Sequence, residues 1–185
     1  MDKIVPKRGL CSNIAHLRQN LIFVTVMSIT IRKGEKKDIP QALGLVRELA
    51  VYERAPNEVA TNVEQMEQDG FGENSVYRFH VAESDGKIIG MALYYTAYST
   101  WKGRYIYLDD LIVTEKHRRS GAGKLLFDAV LSEAKREGAN QLRWHVLEWN
   151  TPAISFYKKY NADLDPEWIT GKLSKEQIEL FNSER

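Results

Sequence analysis

The sequence predicts one mixed α/β (α+β) domain whose central sheet is mostly antiparallel, with helices on its faces. Three observations predict this fold class. Two strand-like segments flank the turn sequence SDGK, which is typical of an antiparallel hairpin. Strand-like and helix-like segments alternate from Tyr105 to Tyr160, which predicts a βαβα unit with one parallel strand pair. The 185 residues are enough for one core, and no linker or repeat interrupts them.

The first half of the chain predicts a strand, a helix and the hairpin. SITIR alternates apolar and polar residues, as a half-buried strand does. Asp38 and Pro40 are typical of a helix start, and apolar residues recur with helical spacing after them. VYRFHVAE and IIGMALYYTAYS form the hairpin, because Asp85 and Gly86 tolerate the backbone of a tight turn. RYIYLDDLIV, rich in aromatic and β-branched residues, predicts the next strand.

The second half predicts three helices and one further strand. The segment HRRSGAGKLLF leads into a helix that ends before Gly138, a residue suited to the left-handed position past a helix end. QLRWHVLEW predicts a strand, and NTPAISFYKKY predicts a helix capped by Asn150 or Thr151. SKEQIELF predicts a last helix, in which Ser174 and Gln177 form a capping box.

Composition and charge exclude several classes of protein. The chain is 43% apolar and 28% charged, which is ordinary for a soluble globular protein. Its formal charge is +1, and four of its basic side chains lie in residues 1–26, so we expect no nucleic acid partner. LIFVTV is too short to cross a bilayer, so we expect no membrane attachment. Cys11 is the single cysteine, which indicates the reducing cytoplasm, and its spacing from the histidines predicts no metal site.

Residues 1–26 are predicted to lie outside the domain, which we place at residues 27–185. Met27 begins the segment MSITIRKGEKKDIP, which is typical of the start of a domain. We therefore interpret residues 1–26 as an extension that precedes the true start of the protein. The competing interpretation is that residues 21–26 lengthen the first strand.

The segment HRRSGAGKLLF predicts a pyrophosphate site at a helix N-terminus. Gly121 and Gly123 have no side chains to block a phosphate, and the helix dipole and free N–H groups attract it. A P-loop is excluded, because Arg118 replaces its first glycine and Leu125 replaces its serine or threonine. A Rossmann loop is excluded, because Leu126 replaces its third glycine. The competing interpretation is a basic turn that caps an ordinary helix.

Arg118, Gly121 and Gly123 form the pattern R-x-x-G-x-G, which resembles the acetyl-CoA loop of the GNAT N-acetyltransferase superfamily. The segments LVRELAVYE, DGFGE, YLDDLIV and EWNTPAISFYKKY are similar to the spermidine/spermine (diamine) and thialysine N-acetyltransferase branch. The resemblance runs from about Ile29 to about Ala162. It implies the GNAT fold, acetyl-CoA as co-substrate and a homodimer. It also implies a small cationic acceptor with a primary amine: a polyamine, a diamine or a thialysine-like amino acid.

The resemblance implies that three segments bind acetyl-CoA: a strand backbone along the pantetheine arm, the glycine loop at the pyrophosphate, and the start of the helix that follows. These residues are Leu111, Ile112, Val113, Arg118, Arg119, Ser120, Gly121, Ala122, Gly123, Lys124, Asn150, Thr151, Pro152 and Ala153. The family often has glycine at the positions of Arg119 and Asn161. Arginine adds attraction for phosphate but loses backbone freedom, whereas asparagine tolerates a left-handed turn.

Tyr157 is the predicted catalytic acid, because it falls on the family tyrosine that protonates the departing sulfur. A phenol with a pKa of about 10 suits a thiol with a pKa of about 8.5. The competing interpretation is that Tyr157 is a core residue of an amphipathic helix beside Phe156.

Asp109 and Asp110 are predicted to hold the cationic amine, and Asp109 is the second predicted catalytic residue. Adjacent residues of a strand point to opposite faces unless a bulge intervenes, and a buried unpaired carboxylate is costly, so at least one should face the site. Asp109 is one methylene shorter than the commoner family glutamate, which indicates a water relay or a substrate of different size. The competing interpretation is two solvated acids on an edge strand.

Other family positions line the acceptor site, and several carry unusual residue types here. These positions are Tyr52, Glu53, Arg143, Trp144 and His145, with Trp101 as a further aromatic wall. The resemblance therefore leaves more than one acceptor open. In an alternative function with the same co-substrate, the acceptor is a protein amino terminus, a lysine side chain or an aminoglycoside. A non-catalytic alternative is an acyl-CoA sensor.

Overall fold

A computed structural model describes residues 28–181 of the chain. The predictions for residues 1–26, Met27 and Cys11 lie outside the described residues and stay predictions. Within residues 28–181, no helix is both long enough and apolar enough to cross a membrane. The cytoplasmic location also stays a prediction.

One five-stranded sheet forms the centre of the described chain, with the strands in sequence order. Its strands are β1 (Thr30–Lys33), β2 (Arg78–Ser84), β3 (Lys87–Ser99), β4 (Gly103–Val113) and β5 (Leu142–Arg143). The pairs from β1 to β4 are antiparallel and β4 pairs with β5 in parallel, which confirms the predicted mixed sheet. The hairpin turn uses left-handed backbone at Asp85 and Gly86, as predicted.

Within residues 28–181 the chain forms five α-helices: α1 (Ile39–Tyr52), α2 (Val63–Phe71), α3 (Ala122–Arg136), α4 (Thr151–Lys158) and α5 (Lys175–Glu179). Asn150, rather than Thr151, caps α4, since its side chain accepts a hydrogen bond from the Ala153 N–H at 3.3 Å. Ser174 and Gln177 form the predicted capping box of α5. The sequence analysis missed α2, a short and polar helix capped by Asn62.

Each face of the sheet carries its own buried cluster. On one face, α3 and α4 cover a cluster that includes Ile106, Leu108, Phe127, Val130 and Tyr157. On the other face, α1 and α2 cover a second cluster, whose members include Ile39, Leu43, Met66, Phe79, Leu93 and Ile112. Burial of apolar surface on both faces is the main stabilisation of such a sheet.

A β-bulge interrupts β4 in front of the predicted amine site. Leu93 pairs with Asp110 and Tyr94 pairs with Leu108, so Asp109 is the extra residue. The bulge changes which face each residue occupies. Leu108, which precedes the bulge, packs on the α3 face, and Ile112, which follows it, packs on the α1 face. In a regular strand, two residues four positions apart would lie on the same face. Asp110 therefore shares the α1 face with Ile112.

The strand predicted from QLRWHVLEW is much shorter than expected. β5 contains Leu142 and Arg143 only, which pair with Ile106 and Tyr107. β4 continues to Val113 while the chain after Arg143 leaves the ladder. The two parallel strands therefore separate beyond Tyr107, and an opening lies between them at the carboxyl end of β4.

Candidate active site

The edge of β4 that faces this opening can hold an extended ligand. Beyond Tyr107, no described strand pairs with this edge, although β3 pairs with the opposite edge as far as Val113. Unpaired N–H and C=O groups at a sheet edge form hydrogen bonds with a ligand that lies along it. Leu111, Ile112 and Val113 lie on this segment, where their backbone can serve the role that the sequence analysis implied.

The glycine loop begins α3 beside the same end of β4. Gly121 is the N-cap of α3 with φ +93°, and nothing within 4 Å would contact a side chain there. The first hydrogen bond of the helix runs from Leu125 N–H to Gly121 O at 3.1 Å, so earlier N–H groups have no acceptor within the helix. The Ser120 hydroxyl accepts a long hydrogen bond from the Ala122 N–H at 3.4 Å, and Gly121 adds no side chain, so this positively polarised helix start fits a pyrophosphate.

The basic side chains of the loop lie in different directions in this structure. The Arg118 guanidinium carbon lies 4.6 Å from the Tyr52 ring centroid, and its Nε donates to Val113 O at 3.3 Å. Lys124 is paired with Asp128 at 2.5 Å along the helix. Arg119 and Ser120 are exposed at the loop tip. A bound anion would compete with Asp128 for Lys124.

Arg119 has left-handed backbone, with φ 64°, and so has Asn161, with φ 54°. We expect Arg119→Gly to stabilise the fold by about 0.5–1 kcal/mol, because a left-handed arginine is strained. The same change removes a cation beside the phosphate seat, so the KM for acetyl-CoA should rise about threefold to tenfold. Urea unfolding and steady-state kinetics measure the two effects.

Asn161→Gly is the matched control for Arg119→Gly, because it relaxes the same backbone conformation outside the loop. It should change the KM for acetyl-CoA little and stabilise less, since asparagine tolerates this conformation. An unchanged KM in Arg119→Gly would show that Arg119 does not attract the phosphate.

Tyr157 lies in the cluster under α3 and α4, where it is 6% exposed. Its ring centroid is 4.6 Å from that of Trp144 and 5.5 Å from that of Phe127. Burial raises the pKa of Tyr157 to about 12. The phenol is therefore fully protonated at neutral pH, the state that a proton donor requires. Both interpretations of Tyr157 agree with its place, since it is a core side chain beside the opening.

Trp144 does not lie with Arg143 and His145, contrary to the expectation that all three line the acceptor site. It packs on the α3 face against Tyr157 and Phe127, because neighbours in an extended segment alternate between faces. Arg143 and His145 lie on the opposite face, where they contact Tyr105 and Tyr107. Trp101 is 82% exposed in the turn between β3 and β4.

Three carboxylates lie close together where α1 ends. Burial, the Asp109 charge and the Glu53 charge raise the pKa of Asp110 to about 7. Burial also raises the pKa of Glu53 and, against the opposing effect of His145, that of Asp109. The bulge at Asp109 makes this arrangement possible, because it brings both aspartates toward one region. Like charges that are partly removed from water favour binding of a cation.

Tyr52 connects the end of α1 to two of the three predicted acetyl-CoA segments, the glycine loop and the start of α4. Its hydroxyl donates to Asn150 Oδ1 at 3.1 Å, and Arg118 lies over its ring. The Trp149 ring packs at a tilt against the Tyr52 ring, with the centroids 5.7 Å apart, and the Arg54 guanidinium carbon lies 4.8 Å from the Trp149 ring centroid. The structure therefore places Tyr52 between the loop and α4.

The sequence analysis missed Tyr95, Tyr107 and Trp149 as residues of this region. Tyr95 and Tyr107 stack at 5.2 Å across β3 and β4, and burial raises the pKa of Tyr107 to about 12. The alternation of Tyr105 and Tyr107 in RYIYLDDLIV indicates that these two side chains share one face of the strand. It does not indicate that the face is left uncovered, which follows from the end of α1 at Tyr52.

Comparisons with known proteins identify relatives of the chain. The model of the acetyltransferase (GNAT) family matches residues 44–162. Thialysine N-epsilon-acetyltransferase of Bos taurus is 39% identical over 142 residues, which cover 72% of this chain and 84% of that protein. Spermidine/spermine N(1)-acetyltransferase-like protein 1 of Homo sapiens is 30% identical over 158 residues, which cover 80% of this chain and 23% of that protein.

Solved structures show the same fold. An aminoglycoside acetyltransferase, meta-AAC0020, from an uncultured soil metagenomic sample has a TM-score of 0.66 at 19% identity, covering 79% of this chain and 97% of that one. Ribosomal-protein-alanine N-acetyltransferase from Brucella melitensis has a TM-score of 0.61 at 18% identity, covering 80% and 99%. The family model matches more than half of this chain, and the bovine relative aligns with most of it. The chain therefore belongs to the acetyltransferase (GNAT) family and is an N-acetyltransferase.

Proposed function

We propose that the protein transfers an acetyl group from acetyl-CoA to the primary amine of a small cationic molecule: a polyamine, a diamine or a thialysine-like amino acid. The cluster of Glu53, Asp109 and Asp110 carries this proposal, because its raised carboxyl pKa values indicate negative groups poorly compensated within the protein. The relatives named for thialysine and for spermidine or spermine support the same class of acceptor.

In this proposal, acetyl-CoA would lie in the opening between β4 and β5. Gly121 and the start of α3 would hold the pyrophosphate, with Arg118, Arg119 and Lys124 as the surrounding cations. The free edge of β4 would bond to the pantetheine arm, with Asn150 and the start of α4 on the other side. The co-substrate supplies a reactive thioester, and the residues of this chain orient it and exclude water.

The carboxylates have two tasks in this proposal. They bind the substrate as an ammonium ion, which cannot attack a thioester until it loses a proton. A carboxylate with a pKa of about 7, as Asp110 has, accepts that proton more readily than one at its ordinary value of 3.8. Asp109, at the bulge, keeps contact with solvent and would pass the proton to water.

Tyr157 is the proposed proton donor to the departing sulfur. The hydroxyl keeps its proton across the neutral range, because burial raises its pKa to about 12. Packing against Trp144, Phe127 and Phe156 restricts the ring, so its hydroxyl has a defined position. The role therefore depends on a rigid, protonated phenol beside the opening.

Thiol release from acetyl-CoA, measured with a panel of different acceptors, tests the proposal directly. Purified protein with acetyl-CoA should release thiol in the presence of spermidine, spermine, putrescine, thialysine or lysine, and little in the presence of an aminoglycoside or a peptide. Mass spectrometry of the product should show one added acetyl group. Turnover with peptides alone would favour a protein amino terminus or lysine side chain as acceptor. Binding of coenzyme A without turnover across the panel would favour an acyl-CoA sensor.

The segment after α4 supports a homodimer as part of the proposal. Among the residues described there, six large apolar side chains are exposed: Trp168, Ile169, Leu173, Ile178, Leu180 and Phe181. Ile169 is 95% exposed and Trp168 is 76% exposed, which is unfavourable in an isolated monomer. A second copy of the chain would cover them.

Light scattering should therefore report twice the chain mass of 21.3 kDa. The double change Trp168→Ser and Ile169→Ser should shift the protein toward monomer, because it removes apolar surface from the proposed contact. Val51→Ser, at another exposed apolar position on α1, is the control and should leave the mass unchanged. A wild-type monomer at every concentration would overturn this part of the proposal.

A further inference from the structure

Lys124 begins α3 beside the phosphate seat at Gly121, but an acidic side chain of the same helix holds its ammonium group. Its Nζ donates to Asp128 Oδ2 at 2.5 Å, and within residues 28–181 it forms no second ion pair. Side chains of a helix point toward its N-terminus, so an unrestrained Lys124 would reach the seat. The proposed function gives Asp128 no task.

The other oxygen of Asp128 is bound by the segment that follows α4. The Tyr160 hydroxyl donates to Asp128 Oδ1 at 2.8 Å, and the Tyr160 ring packs on Phe127 at 4.7 Å, so the position of the hydroxyl is defined. Burial, the hydrogen bond to Asp128 and the Asp128 charge raise the pKa of Tyr160, so the phenol keeps the proton that it donates. Tyr160 therefore fixes the carboxylate with Oδ2 facing Lys124.

Asp128 carries a negative charge throughout the neutral range. Burial opposes ionisation of this carboxyl, but the hydrogen bonds from Lys124 and Tyr160 outweigh burial and hold the pKa of Asp128 below its ordinary value. A lysine four residues before an acid is the less favourable order for the stability of a helix. The helix therefore gains little from this ion pair, whereas the phosphate seat loses a cation to it.

We propose that Asp128 is a positioning residue that holds Lys124 back from the pyrophosphate and thereby lowers the affinity of the enzyme for coenzyme A. An anion in the seat pairs with Lys124 only after the contact with Asp128 breaks, which weakens binding. This inference rests on the proposed function, in which the seat holds the pyrophosphate of acetyl-CoA.

The effect of Asp128 is the same for the co-substrate and for the product, because acetyl-CoA and coenzyme A share the pyrophosphate. An interaction that is equal before and after the transfer step does not accelerate that step. Weaker binding of both molecules leaves the transfer unchanged and shortens the time for which coenzyme A stays bound. Asp128 therefore favours release of the product.

Asp128→Asn tests the inference, because asparagine keeps an oxygen that accepts from Tyr160 but does not attract Lys124. The Kd for coenzyme A, measured by calorimetry, should fall about threefold to fivefold, the range of an exposed ion pair. The inhibition constant of coenzyme A as product should fall by the same factor. The gain should shrink as the salt concentration rises, because ions screen exposed charges. A purely structural role of Asp128 would instead weaken binding at every salt concentration, and that result would overturn the inference.

A lysine variant shows whether the effect passes through Lys124. Lys124→Gln should raise the Kd for coenzyme A, and the double variant Asp128→Asn with Lys124→Gln should bind like Lys124→Gln alone. Tighter binding that persisted without Lys124 would indicate direct repulsion between Asp128 and the phosphate. That result, or an unchanged Kd in Asp128→Asn, would overturn the inference.

Glu115→Gln is the matched control, because it removes one negative charge from an exposed position three residues before Arg118. It should leave the Kd for coenzyme A unchanged, and an equal gain in this variant would contradict a specific role of Asp128. The two proposals fail differently. Wild-type protein that does not bind coenzyme A would contradict both. Tighter binding in Asp128→Asn without acetyl transfer to any amine would contradict the proposed function and support this inference.

Discussion

Tyr157→Phe should lower kcat about 100-fold or more, the usual contribution of a positioned acid. Phenylalanine keeps the ring that packs against Trp144 and Phe127, so the fold should be retained. Only the protonated hydroxyl is lost, and the departing thiolate must then take its proton from water. Since the hydroxyl acts on the leaving group, the KM for the amine should change little.

Tyr160→Phe is the control for this experiment. The Tyr160 hydroxyl donates to Asp128 Oδ1 at 2.8 Å and its ring packs on Phe127 at 4.7 Å, so it resembles Tyr157 in setting. Its loss should cost about 1 kcal/mol of folding free energy and leave kcat nearly unchanged. Steady-state kinetics and urea unfolding of both variants give the comparison. A Tyr157→Phe enzyme with wild-type kcat would exclude the proposed acid.

Asp110→Asn should lower kcat/KM for the amine about 10-fold to 100-fold and stabilise the fold at the same time. The activity falls because a neutral amide neither attracts the ammonium ion nor accepts its proton. The stability rises because the amide removes a partly buried negative charge that lies near Asp109 and Glu53. At pH 8 we expect a gain of about 2 kcal/mol in the free energy of unfolding.

The raised pKa of Asp110 sets how the free energy of unfolding should depend on pH. The pKa of Asp110 is about 7 in the fold against an ordinary 3.8, so the folded chain binds this proton more tightly than the unfolded chain. Its contribution to stability is therefore greatest below about pH 4 and is lost as pH rises to about 7. Asp110→Asn should flatten that part of the stability curve. The wild-type kcat/KM should rise over the same range, as Asp110 ionises.

Asp163→Asn, which changes an exposed aspartate after α4, is the control for Asp110→Asn. It should alter neither the stability curve nor the activity, because its side chain is exposed and lies outside the cluster of Glu53, Asp109 and Asp110. If Asp110→Asn were destabilising at pH 8, the carboxylate would have a compensating partner, and the proposed amine site would lose its main support.

Local patterns predicted the order of helices and strands well, because each pattern reflects interactions between residues that are close together in the chain. Gly121 was assigned to the start of a helix and Gly138 to a position past its end, and both have positive φ. Asp38 with Pro40 marked α1. α2 escaped notice, since a polar helix of nine residues has few apolar positions with which to show a period.

The sequence by itself determined the fold class, the glycine loop and the residue types of the site, since spacing, turn residues and helix caps act over a few neighbours. The tertiary structure alone decided which of these residues meet. Adding Asp109 as a bulge changes the face of every residue after it, and no local pattern in YLDDLIV marks that event. The early end of β5 likewise depends on how two distant strands pair, and it opens the site and separates Trp144 from Arg143 and His145.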